Sequence, residues 1–203
     1  MRVQSRMERG LVIGVVAALA IYMITRTPKM VWKPASSGRM FYVKNLKDAS
    51  RAADHLEELE RRMVEFIAKA REIMPDDERI LRIRDRWNGA LSEVEDSKES
   101  VAYSLGKTTI HVCVREKDGT LANYNSAIFV LLHELAHVST ISYGHTNLFW
   151  KNMRFLLELA EHLGYYKHTD HDEKTAMLCG RLLGPSPLTC VHSNTCKSEL
   201  ASN

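Results

Sequence analysis

Three histidines and one glutamate lie close together in this chain, with the spacing of a metal-dependent hydrolase. Residues 133–137 read His-Glu-Leu-Ala-His. Positions i and i+4 share one face of a helix, so the imidazoles of His133 and His137 can reach a single ion. Glu134 lies one residue further round the helix, where it can act as a general base without being a ligand. The spacing therefore predicts two metal ligands and a catalytic base.

The sequence around this motif predicts a buried helix. Residues 127–132 are all apolar, and Leu135, Ala136 and Val138 continue the pattern. A helix that is apolar nearly all round is usually a buried one. Two histidines and a glutamate are costly to bury without a partner, and a metal ion is the partner that this combination favours.

The third metal ligand has more than one candidate. Gly144 is expected to end the helix, and a new amphipathic helix is expected over about 147–163. His145 stands between the two helices and could fold back onto the ion. Glu158 and Glu161 are its rivals, but they fall on the polar face of the new helix, opposite an apolar stripe. The periodicity favours His145.

Four further residues are weaker candidates for the site. Tyr143 and Tyr124 lie near the motif in sequence, and either hydroxyl could stabilise the oxyanion of a hydrolysis reaction. His171 and Asp170 could orient a ligand or contact a substrate. A solvated loop is the simpler interpretation of that polar stretch.

A β-strand is predicted shortly before the motif. Residues 108–114 are rich in β-branched side chains, and Ile110, Val112 and Val114 share one face. An edge strand at this place would pair with the backbone of an extended substrate. An ordinary core strand is the alternative.

These motifs resemble those of a known group of enzymes. The His-Glu-Leu-Ala-His motif, the Gly-His-Thr at 144–146 and the Phe-Trp at 149–150 look like the WLM and SprT-like group of zincin metallopeptidases. Residues 125–180 are also similar to metallopeptidase-like proteins with the same motif that large DNA viruses of algae and protists encode. The resemblance covers residues 80–188.

The resemblance implies an α+β fold: a helix-dominated, zincin-like metallopeptidase domain with a small sheet. It implies one Zn²⁺ ion per chain on His133, His137 and His145. It also implies protein or peptide substrates, hydrolysed by a zinc-activated water with Glu134 as general base. Two alternatives stay open. One is a structural or assembly protein of a virion or membrane that keeps the fold without turnover, and the other is a SprT-like protease acting on DNA-bound proteins.

The N-terminal segment predicts a membrane anchor. Residues 10–25 are uncharged and apolar, between Arg9 and Arg26. They would form the transmembrane helix of an N-terminal anchor at residues 1–26, with the lipid bilayer as partner through residues 10–25. The expected location is therefore a membrane, of a virion or of a host cell, crossed once. A cleaved signal peptide and a buried helix are the alternatives.

The charge pattern argues against a nucleic-acid partner. The net charge is only +3, and the basic excess lies mostly around the apolar segment. The arginines at 79, 82, 84 and 86 are interleaved with acidic residues, which is typical of a solvated helix face. No nucleic acid is therefore expected to bind.

The rest of the chain is predicted to be one domain behind a tether. Residues 27–44 are the expected tether, and residues 45–203 are the expected zincin-like domain. Within the domain we expect a long amphipathic helix at 45–74, a core at 76–188 and a C-terminal tail at 189–203. The apolar face of the long helix could pack on the domain or mediate self-association.

The four cysteines leave the redox environment open. Cys190 and Cys196 could form a small disulfide loop in an oxidising compartment. Together with His192 they could instead form a second zinc site, although the spacing matches no strong template. Cys113 and Cys179 are expected to be buried thiols.

Overall fold

Groups of two or three short strands are separated by pairs of helices between Met30 and Leu182. The computed structural model describes residues 13, 15–17, 28–95, 100–169, 177–184 and 186–188. The elements follow in the order β1 (Met30–Pro34), β2 (Met40–Lys44), α1 (Ala49–Ile73), α2 (Glu78–Arg86), β3 (Leu91–Glu93), β4 (Ala102–Leu105), β5 (Thr109–Val112), α3 (Tyr124–Ser139), α4 (Asn147–His162), β6 (Met177–Leu178) and β7 (Arg181–Leu182). The fold is mixed α/β with small sheets.

The structure contradicts the predicted membrane anchor. No helix among the described residues is long and apolar enough to cross a membrane. The transmembrane helix expected within residues 1–26, and the single-pass membrane location inferred from it, are therefore wrong. Most of the apolar segment 10–25 lies outside the described residues. The weakness of the prediction was length, because 16 residues rise only about 24 Å in a helix and a hydrocarbon core is about 30 Å thick.

The segment 27–44, expected to be a tether, forms a β-hairpin from Met30 onward. β1 and β2 pair in antiparallel register. Gly38, with a φ of 91°, lies in the turn between them. Phe41 and Val43 point into the core, where the hairpin contacts α1. This part of the expected tether is therefore a packed hairpin.

The long amphipathic helix is α1, which begins later than predicted, at Ala49. Its buried residues recur at helical spacing, from Ala49 through Leu56 and Met63 to Ala70. They pack against the hairpin β1–β2, the helices α2 and α3, and β3. Packing within the chain thus covers this apolar face, and self-association through the helix stays a prediction.

The sheet beside the metal motif has a different edge from the one expected. The strand order is β3-β5-β4, with β3 parallel and β4 antiparallel to β5. The strand predicted at 108–114 is β5, and it is central. Its Ile110 and Val112 are buried in the core, while His111 stacks on Tyr103 on the other face at 4.6 Å between ring centroids. A substrate cannot pair with β5, because both of its edges are already paired.

A disulfide joins two cysteines that were expected to be free thiols. Cys113, just after β5, is bonded to Cys179 in the turn of the small hairpin β6–β7. Beside the bond, Gly180 N donates to the carboxylate of Glu116 at 3.1 Å. A Cβ on Gly180 would overlap the side chain of Lys117, so this close approach needs glycine. Cys190, Cys196 and His192 lie outside the described residues.

A buried ionic cluster fastens the sheet to the N-terminus of α1. Arg115, only 6% exposed, forms ion pairs with Glu93 of β3 and with Asp48, the residue that precedes α1. Hydrogen bonds from Arg115 lower the pKa of the Asp48 carboxyl. Glu93 also accepts a hydrogen bond from Lys44 N at 2.7 Å. Because the arginine is paired on both sides, its charge is tolerated in the core.

Loss of the disulfide should destabilise the fold. The bond joins residues 66 positions apart, and closing a loop of this length restricts the unfolded chain by about 4 kcal/mol in the chain-entropy model. We expect the double variant Cys113→Ser/Cys179→Ser to lose about 2–4 kcal/mol of unfolding free energy in urea titrations without reductant. An unchanged midpoint and slope would show that the bond does not form in solution.

Candidate metal centre

The structure brings the three predicted histidine ligands together. His133 and His137 project from one face of α3, one turn apart, and His145 reaches them from the linker between α3 and α4. Their ligand nitrogens all lie within 4.8 Å of one another. The Nε2 atoms of His133 and His145 are 3.1 Å apart. Two nitrogens bound tetrahedrally to one zinc ion are about 3.4 Å apart, so this group could hold a metal ion after small side-chain movements.

The helix that carries the first two histidines is secured at its N-terminus. The side chain of Asn123 caps α3 by accepting hydrogen bonds from Asn125 N at 2.8 Å and Ser126 N at 3.4 Å. The apolar residues 127–132 then fill the core, as the sequence predicted. This end of α3 fixes the rotation of the helix, and so the direction in which the histidines project.

The C-terminus of α3 is held by three cationic side chains from other elements. Arg82 donates to Ser139 O at 3.1 Å and Arg86 donates to Val138 O at 3.2 Å, both from α2. Lys107, in the turn between β4 and β5, donates to Thr140 O at 2.8 Å. The last carbonyls of a helix lack partners within the helix and carry partial negative charge, which cations stabilise.

This role corrects the prediction that the α2 arginines form only a solvated face. Arg82 and Arg86 cap α3, and Arg79 lies over the ring of Phe155 at 3.3 Å from its centroid. The i and i+4 spacing of Arg82 and Arg86 indicates that both lie on one face of the helix. The α3 carbonyls that they contact are more than 50 residues away, so no local pattern pointed to them.

The linker delivers His145 much as the sequence predicted. The helix ends earlier than predicted, at Ser139 with Thr140 as its C-cap, so Gly144 lies within the linker and not at the helix end. Gly144 has a φ of 79°, which suits a turn. Thr146 caps α4 by accepting a hydrogen bond from Phe149 N at 3.4 Å, and its hydroxyl lies 3.0 Å from that of Ser142. The turn and the cap together aim His145 back towards α3.

The two rival glutamates point away from this group. Glu158 accepts a hydrogen bond from Arg154 at 2.7 Å on the exposed side of α4. Glu161 accepts one from His168 N at 3.3 Å. Within the described part of the chain, the three histidines are the only cluster of His, Cys, Asp or Glu that could hold an ion. The geometry therefore selects His145 over both glutamates.

Two aromatic residues that the sequence placed in the core form a wall of the site. The ring of Phe149 lies 4.2–4.9 Å from all three imidazoles, between centroids. Trp150 stacks on His145 at 5.7 Å. These contacts restrict the orientation of each imidazole. The signal in the sequence was the position of Phe149, four residues after His145 at the start of a helix.

Burial controls the protonation of the site. It lowers the pKa of His133 to about 3, helped by the neighbouring imidazoles. The pKa of His137 falls to about 4, again through burial first, with smaller contributions from His145 and Lys107. Neutral imidazole is the form that binds metal ions. At neutral pH both α3 histidines are therefore ready to act as ligands.

Glu134 lies beside the histidines and is tied to the edge strand. Its side chain is 6% exposed. Burial raises its pKa to about 7, although hydrogen bonds from the hydroxyl and backbone N–H of Ser104 in β4 oppose that rise. A cation bound at the histidines would lower the pKa again. The contact with Ser104 places a carboxylate between α3 and β4.

Two of the four weaker candidates, Tyr124 and Tyr143, lie among the described residues. Tyr124 begins α3, about 13 Å along the helix from His133, and stacks on His55 at 4.2 Å between centroids. That position does not support an oxyanion role. Tyr143 lies in the linker, 86% exposed, and its role stays a prediction. His171 and Asp170 lie outside the described residues.

Comparisons with known proteins leave the function to be argued from the site. No family model matches the chain, and no solved structure matches it significantly. Uncharacterized protein 136R of Invertebrate iridescent virus 6 is 25% identical over 170 residues, which is 80% of this chain and 93% of that protein. Uncharacterized protein R325 of Acanthamoeba polyphaga mimivirus is 39% identical over 75 residues, and Uncharacterized protein 042R of Invertebrate iridescent virus 3 is 40% identical over 77. The chain spans 38% and 46% of the lengths of these last two relatives.

Removing the third ligand should lower metal binding, whereas removing a rival should not. We expect the full-length chain, purified without added metal, to carry close to one metal ion, and His145→Ala to lose most of it. Glu158→Ala is the matched control and should keep the metal. Elemental analysis by mass spectrometry measures the ratio of metal to protein. Full retention by His145→Ala would remove this histidine from the ligand set.

The buried carboxyl of Glu134 should make the metal-free protein less stable as the pH rises. Its folded pKa of about 7 lies above the usual value of 4.5, so the folded state binds the proton more tightly than the unfolded state. Stability therefore falls between about pH 4.5 and pH 7, by about 3 kcal/mol for this group.

The variant Glu134→Gln has no titrating carboxyl at this position, so it should not lose stability in this way as the pH rises. In the presence of a chelator, the variant should be more stable than the wild type at pH 8, and the difference should vanish near pH 4.5. Urea titrations at the two pH values measure it. Because the comparison is between two proteins at the same pH, the titration of the histidines cancels. An advantage that is equal at both pH values would show that the carboxyl titrates normally.

Proposed function

We propose that this chain is a zinc-dependent peptidase that hydrolyses peptide bonds with Glu134 as general base. The observation that carries the proposal is the gathering of three imidazoles around one point, with a buried carboxylate beside them. His133, His137 and His145 are the residues that would hold the ion. When bound, zinc would supply a Lewis acid that polarises a carbonyl and lowers the pKa of a water molecule.

The number of protein ligands favours catalysis over a purely structural role. Structural zinc sites are typically closed by four protein ligands, whereas catalytic sites use three and leave one position for water or substrate. The metal-binding group found in the described residues has three members, all histidines. His145 is also exposed, so the group is open to solvent on that side. An open position beside a base suits hydrolysis.

Glu134 is placed to move protons during hydrolysis. Its carboxylate would take a proton from the attacking water and return it to the amine that leaves. Two hydrogen bonds from Ser104, one from its hydroxyl and one from its backbone N–H, hold the carboxylate in place. A carboxylate can accept about four hydrogen bonds, so acceptor positions remain for the water.

The edge strand β4 is the proposed docking site for the substrate backbone. β4 pairs with β5 on one side, and its other side has no strand partner among the described residues. It packs beside α3, and Ser104 touches the proposed base. An extended peptide could add to this edge by backbone hydrogen bonds and present a carbonyl to the site. The substrate-pairing role expected of β5 passes to β4 because β5 is central.

Replacing the base and replacing a ligand should have different consequences. Glu134→Gln keeps the shape of the side chain but cannot accept a proton, so we expect it to retain metal and to lose peptide hydrolysis by at least about a hundredfold. His137→Ala should lose both. Cleavage of an unstructured protein such as casein, followed with metal content, measures the two effects.

His162→Ala, at the exposed end of α4, is the control and should change neither quantity. Hydrolysis by Glu134→Gln at the wild-type rate would exclude the assigned base. Metal binding without hydrolysis of any peptide by the wild type would instead favour a structural metal site.

A further inference from the structure

The turn between β4 and β5 holds a lysine in a backbone conformation that lysine rarely adopts. Gly106 and Lys107 have φ values of 60° and 61°, and Thr108 N donates to Leu105 O at 3.1 Å. Two-residue hairpin turns of this kind strongly favour glycine, asparagine or aspartate, because an L side chain is strained there. An unfavourable residue retained at such a position suggests that its side chain has a function.

The side chain of Lys107 reaches the linker that carries the third histidine. Its Nζ donates to Thr140 O at 2.8 Å and lies 4.9 Å from the centroid of the Tyr143 ring. Thr140 is the C-cap of α3 and the first residue of the linker. The lysine therefore connects the hairpin turn of the edge strand to the point where the chain leaves the metal-binding helix.

Thr140 is held from the opposite side as well. Its hydroxyl donates to Ala136 O at 2.6 Å and accepts a hydrogen bond from the buried Asn152 of α4 at 2.9 Å. The hydroxyl is thus fixed by the two helices, and the carbonyl by the sheet. Lys107 thus connects the sheet to the linker at Thr140, which lies five residues before His145.

We propose that Lys107 is a positioning residue of the metal centre. Its bond to Thr140 O fixes the start of the linker, and so holds His145 within reach of His133 and His137. This inference rests on the proposed metal function. The ammonium charge acts in the opposite sense, because it repels a bound cation. If charge repulsion were the larger effect, loss of the lysine would tighten metal binding. If positioning is the larger effect, its loss weakens metal binding.

The test compares zinc affinity among variants of the full-length chain. Lys107→Met keeps most of the side-chain length but has no donor, and competition with a chromophoric zinc chelator should show affinity about tenfold below wild type. Lys107→Arg can still donate to Thr140 O and should keep most of the affinity. Lys69→Met is the matched control. Lys69 also lies over a tyrosine, with its Nζ 5.2 Å from the ring centroid of Tyr165. Tyr165 follows the C-terminus of α4, away from the histidines, so Lys69→Met should not change zinc affinity.

A double-mutant cycle separates positioning from general destabilisation. In the His145→Ala background, Lys107→Met should change the remaining zinc affinity less than about twofold, because the ligand it positions is gone. An equal loss in both backgrounds would mean that the lysine supports the fold rather than His145, and would overturn the proposal. Unchanged or tighter binding by Lys107→Met in the wild-type background would overturn it too.

Lys107→Gly guards against a variant that fails to fold. Glycine suits the turn, so this variant should melt within a few degrees of the wild type while it binds zinc about tenfold more weakly. A Lys107→Gly protein that binds zinc as tightly as the wild type would refute the positioning role alone. A wild-type protein that binds no zinc would refute the proposed function itself, and this inference with it.

Discussion

The partial burial of His133 and His137 on α3 is the constraint on which the rest of the site depends. A charged imidazole in these desolvated surroundings is costly, so the pKa of each ring is lowered and both are neutral at physiological pH. Neutral imidazole is the form that binds metal ions, so these rings are suited to hold one. Phe149 restricts their orientation by packing against both rings and against that of His145. Burial also raises the pKa of Glu134 to about 7, so this carboxyl beside the histidines titrates near neutral pH.

The end of α3 links the stability of the fold to the geometry of the site. Carbonyls at a helix C-terminus need donors, and here those donors come from α2 and from the β4–β5 turn. The linker that carries His145 begins at the same place. The contacts that cap the helix therefore also hold the start of the linker that leads to His145.

The sequence determined the parts of the structure that depend on neighbours along the chain. The i and i+4 spacing of His133 and His137 placed both on one face of a helix, because the helical repeat is local. The glycine expected to end that helix lies in the linker, because α3 already ends at Ser139. The polar face of α4 argued against its glutamates as ligands. The apolar period over 45–74 located α1 to within a few residues. Apolar length alone was a poor guide to a membrane span over residues 10–25, where the structure contradicts the prediction.

Only the tertiary structure decided which distant residues meet. The pairing of Cys113 with Cys179 joins positions 66 residues apart, whereas local spacing had pointed to Cys190 and Cys196 as the bonded pair. The central place of β5 follows from the parallel pairing with β3, which no periodicity reveals. The roles of Arg82, Arg86 and Lys107 likewise arise because α2 and a hairpin turn pack against the end of α3. Patterns along the chain specify the faces and ends of each helix and strand. Which helices and strands pack together is decided only when all the apolar faces are buried at once.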